Sequence, residues 1–599
     1  MRTSPSGALS VRLLLILVTI AVVPAACSST SSKGPGDTGA QVHPDASVAD
    51  SGSSPADAAT PPVDASTPVE DAGPVDAGPV DAGLADAGAI EPDAGATEFD
   101  AGPADAGTPF DAGTADAGSG VDAGADTADA GPAVDAGVVD AGTEIDAGPP
   151  EYLLTLTVDA NPNNVLSAVA SVTGWPTGSR SVRVTYQAGS AAAQTTPSTA
   201  FPGAASSVKL PVLGLKAETA YSLQAVGLDA DGKSLQSVPV SFTTSALPAG
   251  VPGFTTVGTT TGYTLVTRVP AGPAGTAGSV SIVDEAGVPV WYLSLPGGLF
   301  VDFQRQPDGT FTAAEPDIAH PLPGVVGTGA VFYHQFDVLG NLLHTWTTPD
   351  VLGTDGHEMR ILANGDALLF GLVQRTMDTT AMGGPADATI LANTLHRMTP
   401  EGTSTFSWDA FDHLTLDTLD PLLRPPREVV DFTHGNSIDL MADGSYLISL
   451  RHTSQAIKID AATGAVLWKL GGLDSSFQFV NDPLNGFSFQ HGARELPNGN
   501  ILLFDDGNAH APSQSRAVEY KLDTTAHTAT LVRADEDTPP VYGFAMGYAQ
   551  RLPNGHTVVC YGTTARVQEF DEHGVVVWTL SDPNPTFGLY RAYRLDSLY

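Results

Sequence analysis

The chain has 599 residues, a formal net charge of −41 from 67 acidic and 26 basic side chains, and two cysteines. Its length predicts several domains. No basic stripe is present to neutralise phosphates, which argues against a nucleic-acid partner.

At the N-terminus, Arg2 and Arg12 precede an apolar run from Leu13 to Val23 that is too short to span a bilayer. It ends in Val23-Pro24-Ala25-Ala26-Cys27. Residues 1–27 therefore look like a lipoprotein-type signal with Cys27 as the lipidated residue, although Pro24 stands where such signals usually carry Leu. An ordinary secretory signal cut nearby is the alternative, and either implies export. Ser28 is not the Asp that marks inner-membrane retention, so the expectation is an outer-membrane anchor facing the periplasm or the cell surface. The other cysteine, Cys560, lies in an apolar strand and reads as a buried small hydrophobe. With Cys27 acylated no intramolecular disulfide can form, and the fold must stand on its own core.

Residues 28–150 repeat Asp-Ala-Gly from Asp71 to Gly148, almost without aromatic residues and with no Lys or Arg after Lys33. Such a segment cannot bury enough apolar surface to offset its chain entropy, so a disordered linker is expected. Read as a flexible chain it reaches roughly 60 Å, further with self-repulsion. It would hold the folded part off a membrane.

Residues 151–247 alternate apolar and polar side chains, as in Tyr152-Leu153-Leu154-Thr155-Leu156-Thr157-Val158 and Ser181-Val182-Arg183-Val184-Thr185-Tyr186. Leu215 followed by Thr219-Ala220-Tyr221 and an alternating strand resembles the tyrosine corner of immunoglobulin-like and fibronectin III-like β-sandwiches. No catalytic constellation is present here, and the segment suits packing, spacing or homodimer formation.

From 250 to 599 one unit recurs about every 40 to 70 residues. It runs strand, Asn/Asp-Gly turn, apolar strand, third strand, then a strand closing on Trp. The turns are Asp308-Gly309, Asn364-Gly365, Asp443-Gly444, Asn498-Gly499 and Asn554-Gly555. The closing tryptophans are Trp291, Trp346, Trp408, Trp468 and Trp578; the fifth copy lacks one and ends near Leu531-Val532. Four antiparallel strands per copy, in about six copies, predict an all-β chain whose 250–599 region is a six-bladed β-propeller.

His357, His434 and His491 stand at one position of three consecutive copies, each just at or before a first strand. Equivalent positions of a ring of repeats converge, so these three imidazoles should meet. A structural histidine would recur in most copies, whereas Gly547 takes the slot in the sixth and the second has no histidine there. Asn436 and Arg451 lie close by in sequence. Arg offers a planar fork to oxyanions, Asn and His donate further hydrogen bonds, and one His can act as a nucleophile. Three histidines could instead hold a metal such as zinc, but an adjacent Arg disfavours a cation. Asp505-Asp506-Gly507 reads first as a turn and second as a pair tuning the site.

Here the chain resembles the bacterial aryl-sulfate sulfotransferases. The resemblance is carried by His434-Gly435-Asn436-Ser437, Leu447-Ile448-Ser449-Leu450-Arg451-His452-Thr453-Ser454, Trp468-Lys469-Leu470-Gly471-Gly472, Gln490-His491-Gly492-Ala493-Arg494 and Phe504-Asp505-Asp506-Gly507-Asn508. Asn161-Pro162 resembles the opening of that family's N-terminal sandwich. The resemblance implies transfer of a sulfuryl group from a phenolic sulfate to a phenol, without the nucleotide sulfate donor and without a cofactor. It implies that His491 is the covalent residue and that His357, His434, Asn436 and Arg451 support it. The absence of a Gly-rich phosphate loop agrees. A non-catalytic binding or scaffold propeller and an aryl-sulfate hydrolase are the alternatives.

Overall fold

The computed structural model describes residues 151–203, 205–270, 278–293, 301–319, 322, 329–424 and 426–599. The expected signal, Cys27 and the Asp-Ala-Gly linker lie outside the described residues. The described chain is all-β, interrupted only by single turns of 3-10 helix.

In the N-terminal part, strand Glu151–Ala160 is shared between two sheets. Its first half runs parallel to Ser234–Ser237, and its second half pairs antiparallel with Ala168–Thr173. The alternation noted in the sequence becomes alternating burial: Ala220–Leu228 turns Tyr221, Leu223 and Ala225 inward. They meet Leu156, Ala170 and Val184 in one apolar cluster. The Tyr221 hydroxyl accepts a 2.8 Å hydrogen bond from the backbone N–H of Lys216.

The remainder is a propeller-like arrangement of antiparallel sheets. Residues Gly435–Leu440, Tyr446–Leu450, Gln455–Ile459 and Val466–Gly471 form one four-stranded sheet in sequence order. The same succession underlies the sheet built on His491–Glu495, Ile501–Asp505, Arg516–Asp523 and Thr528–Asp535. Each expected hairpin turn carries its glycine in the left-handed region, with φ of 83° at Gly309, 88° at Gly365, 86° at Gly444, 81° at Gly499 and 87° at Gly555. The strand-closing Trp291, Trp408 and Trp578 are fully buried between sheets. Cys560 is a buried free thiol.

Two pairings were not foreseen. The last strand, Phe587–Leu595, pairs with Tyr263–Pro270, and Thr255–Gly258 pairs with Val576–Ser581. These join the two ends of the repeat region. Asn161, in the motif noted above, and Asn164 donate to the carbonyls of Leu339 at 2.8 Å and Tyr292 at 2.9 Å, docking the first part on the second. What matters for function is that Thr354–Ile361, Gly435–Leu440 and His491–Glu495 lie side by side.

Candidate active site

His357 lies within its strand, His434 immediately before the next, and His491 at the start of the third. They converge as expected. The rings of His357 and His434 are 4.5 Å apart at 64°, and His434 stacks on His452 at 4.3 Å. With Arg451 and Tyr590 these groups line a cavity of about 590 Å³, whose apolar wall includes Pro270, Val331, Phe544 and Met546. His434 holds φ at +50°, a conformation that side chains adopt only where the surroundings enforce it. Part of that enforcement is a 2.6 Å hydrogen bond from the Gly435 N–H to Asn393 Oδ1. Gly492, next to His491, has φ of +67°, and a Cβ there would come within 2.5 Å of the Tyr548 ring.

Each of the three histidines uses Nδ1 on its own carboxylate. His357 pairs with Asp355 at 2.6 Å, His434 with Asp431 at 2.5 Å and His491 with Asp506 at 2.7 Å. That fixes ring orientation and leaves each Nε2 for chemistry. His452 Nδ1 instead lies 2.7 Å from the Asp431 carbonyl. A carbonyl only accepts, so His452 carries its hydrogen on Nδ1.

The four imidazoles do not titrate alike. Burial pulls His357 down, but the adjacent Asp355 carboxylate outweighs it and the net shift is upward. Burial, followed by the fields of Arg451, His434 and His357, holds His491 well below its ordinary value. Burial and His357 do the same to His434, and burial lowers His452 to about 3. His357 is thus pushed toward its protonated form and its neighbours toward the neutral one, the separation of acid from nucleophile that group transfer needs. Burial pushes the Asp506 carboxyl upward while Arg451 opposes it.

Arg451 lines the cavity, donates from Nη2 to the Phe544 carbonyl at 2.9 Å, and lies 4.9 Å above the Phe489 ring. Its buried Nε has no hydrogen-bond acceptor among the described residues. Asn436 is placed differently from the expectation. Its amide donates to the Gln490 carbonyl at 2.7 Å, so it braces the strand that carries His491 rather than facing the cavity. Asp506 also departs from its first reading as part of a simple turn: it is buried, and Asp505 ends a strand beside it. His452 and Tyr590 were not singled out. His452 was visible beside Arg451 in sequence, but nothing local distinguishes Tyr590, which arrives on the last strand. The Tyr590 hydroxyl donates to the His357 carbonyl at 2.7 Å.

Asp431, His434 and His452 bring ligand-type atoms within 4.8 Å of one another. The 2.5 Å separation of His434 Nδ1 from Asp431 Oδ2 is that of a hydrogen bond and is too close to admit an ion between them, and Arg451 borders the same space.

The fold and site define a class: a propeller-like β-domain with a histidine and arginine cluster suited to transfer of an anionic group. Residues 333–582 match the arylsulfotransferase (ASST) family. None of the curated proteins matches the chain. Among solved structures, a protein of unknown function from Bacteroides caccae is 17% identical, covering 56% of this chain and 98% of its own, with a TM-score of 0.35. A catalytically inactive virginiamycin B lyase from Staphylococcus aureus with quinupristin is 10% identical, covering 54% and 86%, with a TM-score of 0.29. An auxiliary nutrient binding protein from Bacteroides ovatus is 10% identical, covering 72% and 86%, with a TM-score of 0.21. Likenesses this low carry no argument about function.

Proposed function

We propose that this protein is an aryl-sulfate sulfotransferase that moves a sulfuryl group from a phenolic sulfate to a phenol through a covalent adduct on His491, without a nucleotide donor. The observation that carries the reading is the convergence of His357, His434 and His491, each held at Nδ1 by its own carboxylate, on one cavity that Arg451 borders. Arg451 holds the sulfuryl oxygens of the donor. Nε2 of His491 attacks sulfur as the bond from sulfur to the phenolic oxygen breaks. His357 gives its Nε2 proton to the departing phenolate, and Asp506 Oδ2 accepts the hydrogen bond from Nδ1–H as the ring is sulfated. In the second half the acceptor hydroxyl attacks sulfur, the S–N bond breaks, and the acceptor's proton returns to His357. His434, held neutral, accepts a hydrogen bond from the acceptor hydroxyl.

The same reading takes the repeat region as a six-bladed propeller and residues 151–247 as an immunoglobulin-like or fibronectin III-like sandwich. It takes residues 1–27 as a signal ending at lipidated Cys27, and residues 28–150 as a tether from the outer membrane. Its support is the repeat pattern and the leader composition. Among the described residues no helix is long and apolar enough to cross a membrane.

The test mixes the full chain with an aryl sulfate that releases a coloured phenol, with and without a second phenol. Acceptor-dependent release, lost in His491→Ala, is the expected outcome. Release indifferent to the acceptor would make the protein a hydrolase. No release from the folded protein across a range of donors would favour a binding module.

A further inference from the structure

Beneath the three histidines lies a fully buried ion cluster that the proposed reaction does not use. Its centre is Arg591, with no exposed surface, on the last strand Phe587–Leu595. Nη1 of Arg591 contacts Asp302 at 3.0 Å and Glu358 at 3.2 Å, and Nη2 donates to the carbonyl of Asn436. Glu358 also pairs with Arg494 and accepts from the backbone N–H of Ile438 at 2.7 Å. Asp302 accepts from the backbone N–H of Met359 at 3.1 Å.

The cluster is interleaved with the site. Glu358 follows His357, Asn436 is two residues after His434, and Arg494 is three after His491. Every strand that carries a site histidine is thus bonded to the same two arginines or their acidic partners. Breaking one member would leave an uncompensated buried charge, so the arrangement is either whole or costly. An outer hydrogen-bonded salt bridge could hold a fold together equally well at the periphery. This one sits where the three histidine strands meet.

We propose that Arg591 is a positioning residue that clamps the strands bearing His357, His434 and His491 in register and sets the electric field in which they react. The field has a definite sign. His491 is faced by Arg451, His434, His357 and Arg591, with Asp506 on Nδ1; His357 is faced by Asp355, Asp431, His434, Tyr590 and Arg591. Arg591 lowers the affinity of both rings for a proton. Its removal, which also uncovers Asp302 and Glu358, raises both.

The test compares full-length Arg591→Met and Arg591→Lys with the parent. The first readout is the titration of histidine ring signals by NMR on isotopically labelled protein, with His491 assigned by difference from His491→Ala. It requires no turnover, so it judges this inference even if the sulfuryl-transfer reading, on which the rate readout rests, were to fail. Arg591→Met should move the His491 transition to higher pH. It should also shift the acid limb of phenol release the same way and cut kcat at least about tenfold. Arg591→Lys keeps the charge but not the fork to Asn436 and Asp302. It should leave the His491 transition in place while lowering kcat. A folded Arg591→Met with an unmoved His491 transition would overturn the field. If Arg591→Met does not fold, parental kcat in a folded Arg591→Lys would overturn the clamp.

Discussion

Asp506→Asn isolates the support of the nucleophile. In the parent, one hydrogen is shared between His491 Nδ1 and Asp506 Oδ2 at 2.7 Å, with both residues buried. The ring gains positive charge as sulfur bonds to Nε2, and a buried hydrogen bond to a charged group is worth about 1.5–3 kcal/mol, a factor of about 10 to 150 in rate if it is realised in the transition state. A second effect adds to it. The asparagine amide can donate to Nδ1, which would place the ring hydrogen on Nε2, where sulfur must be attacked. Loss of the correct tautomer at a comparable triad costs about 10⁴ in kcat. The expected fall is therefore between about tenfold and 10⁴-fold in kcat, with little change in KM for the acceptor. The assay is phenol release under saturating acceptor, with intact mass spectrometry for the adduct on His491. Parental kcat in a folded Asp506→Asn would refute the argument that this carboxylate orients the nucleophile.

The remaining predictions concern pH, the donor and stability. His491 must be neutral, a condition met above its lowered pKa; His357 must be protonated, a condition lost as pH rises through its raised pKa. The acid limb of kcat/KM should thus lie well below pH about 6.5 and the alkaline limb above it, and a rate rising through that pH would contradict the assignment. Arg451→Lys keeps a charge but loses the planar fork, and should weaken donor kcat/KM by about 10- to 100-fold with less effect on the acceptor, measured by steady-state kinetics in each substrate. Trp408→Ala removes a fully buried ring and should lower stability by about 3–5 kcal/mol in urea unfolding, with the site residues untouched.

Much of the architecture is local, and the sequence alone determines it. Each Asn/Asp-Gly pair specifies a turn because only glycine takes the required φ without cost. Alternation sets which face of each strand is buried, and a shared register of His357, His434 and His491 announces their convergence, because repetition turns sequence period into position. The family resemblance, resting on ordered motifs, was legible for the same reason. The partners of those histidines were not. Asp355 and Asp431 lie two and three residues from the rings they hold, yet acids near histidines are common and nothing local marks these. Asp506 sits in a run that composition reads as a turn, and Asn436 looks like a substrate ligand until its amide is found bracing Gln490. Tyr590 and Arg591 come from the far end of the chain. Only closure of the last strand against Tyr263–Pro270 brings them under the site. Which imidazole carries the proton is likewise a tertiary outcome, since desolvation and the fields of Asp355, Arg451 and Arg591 act through space and leave no trace in local sequence.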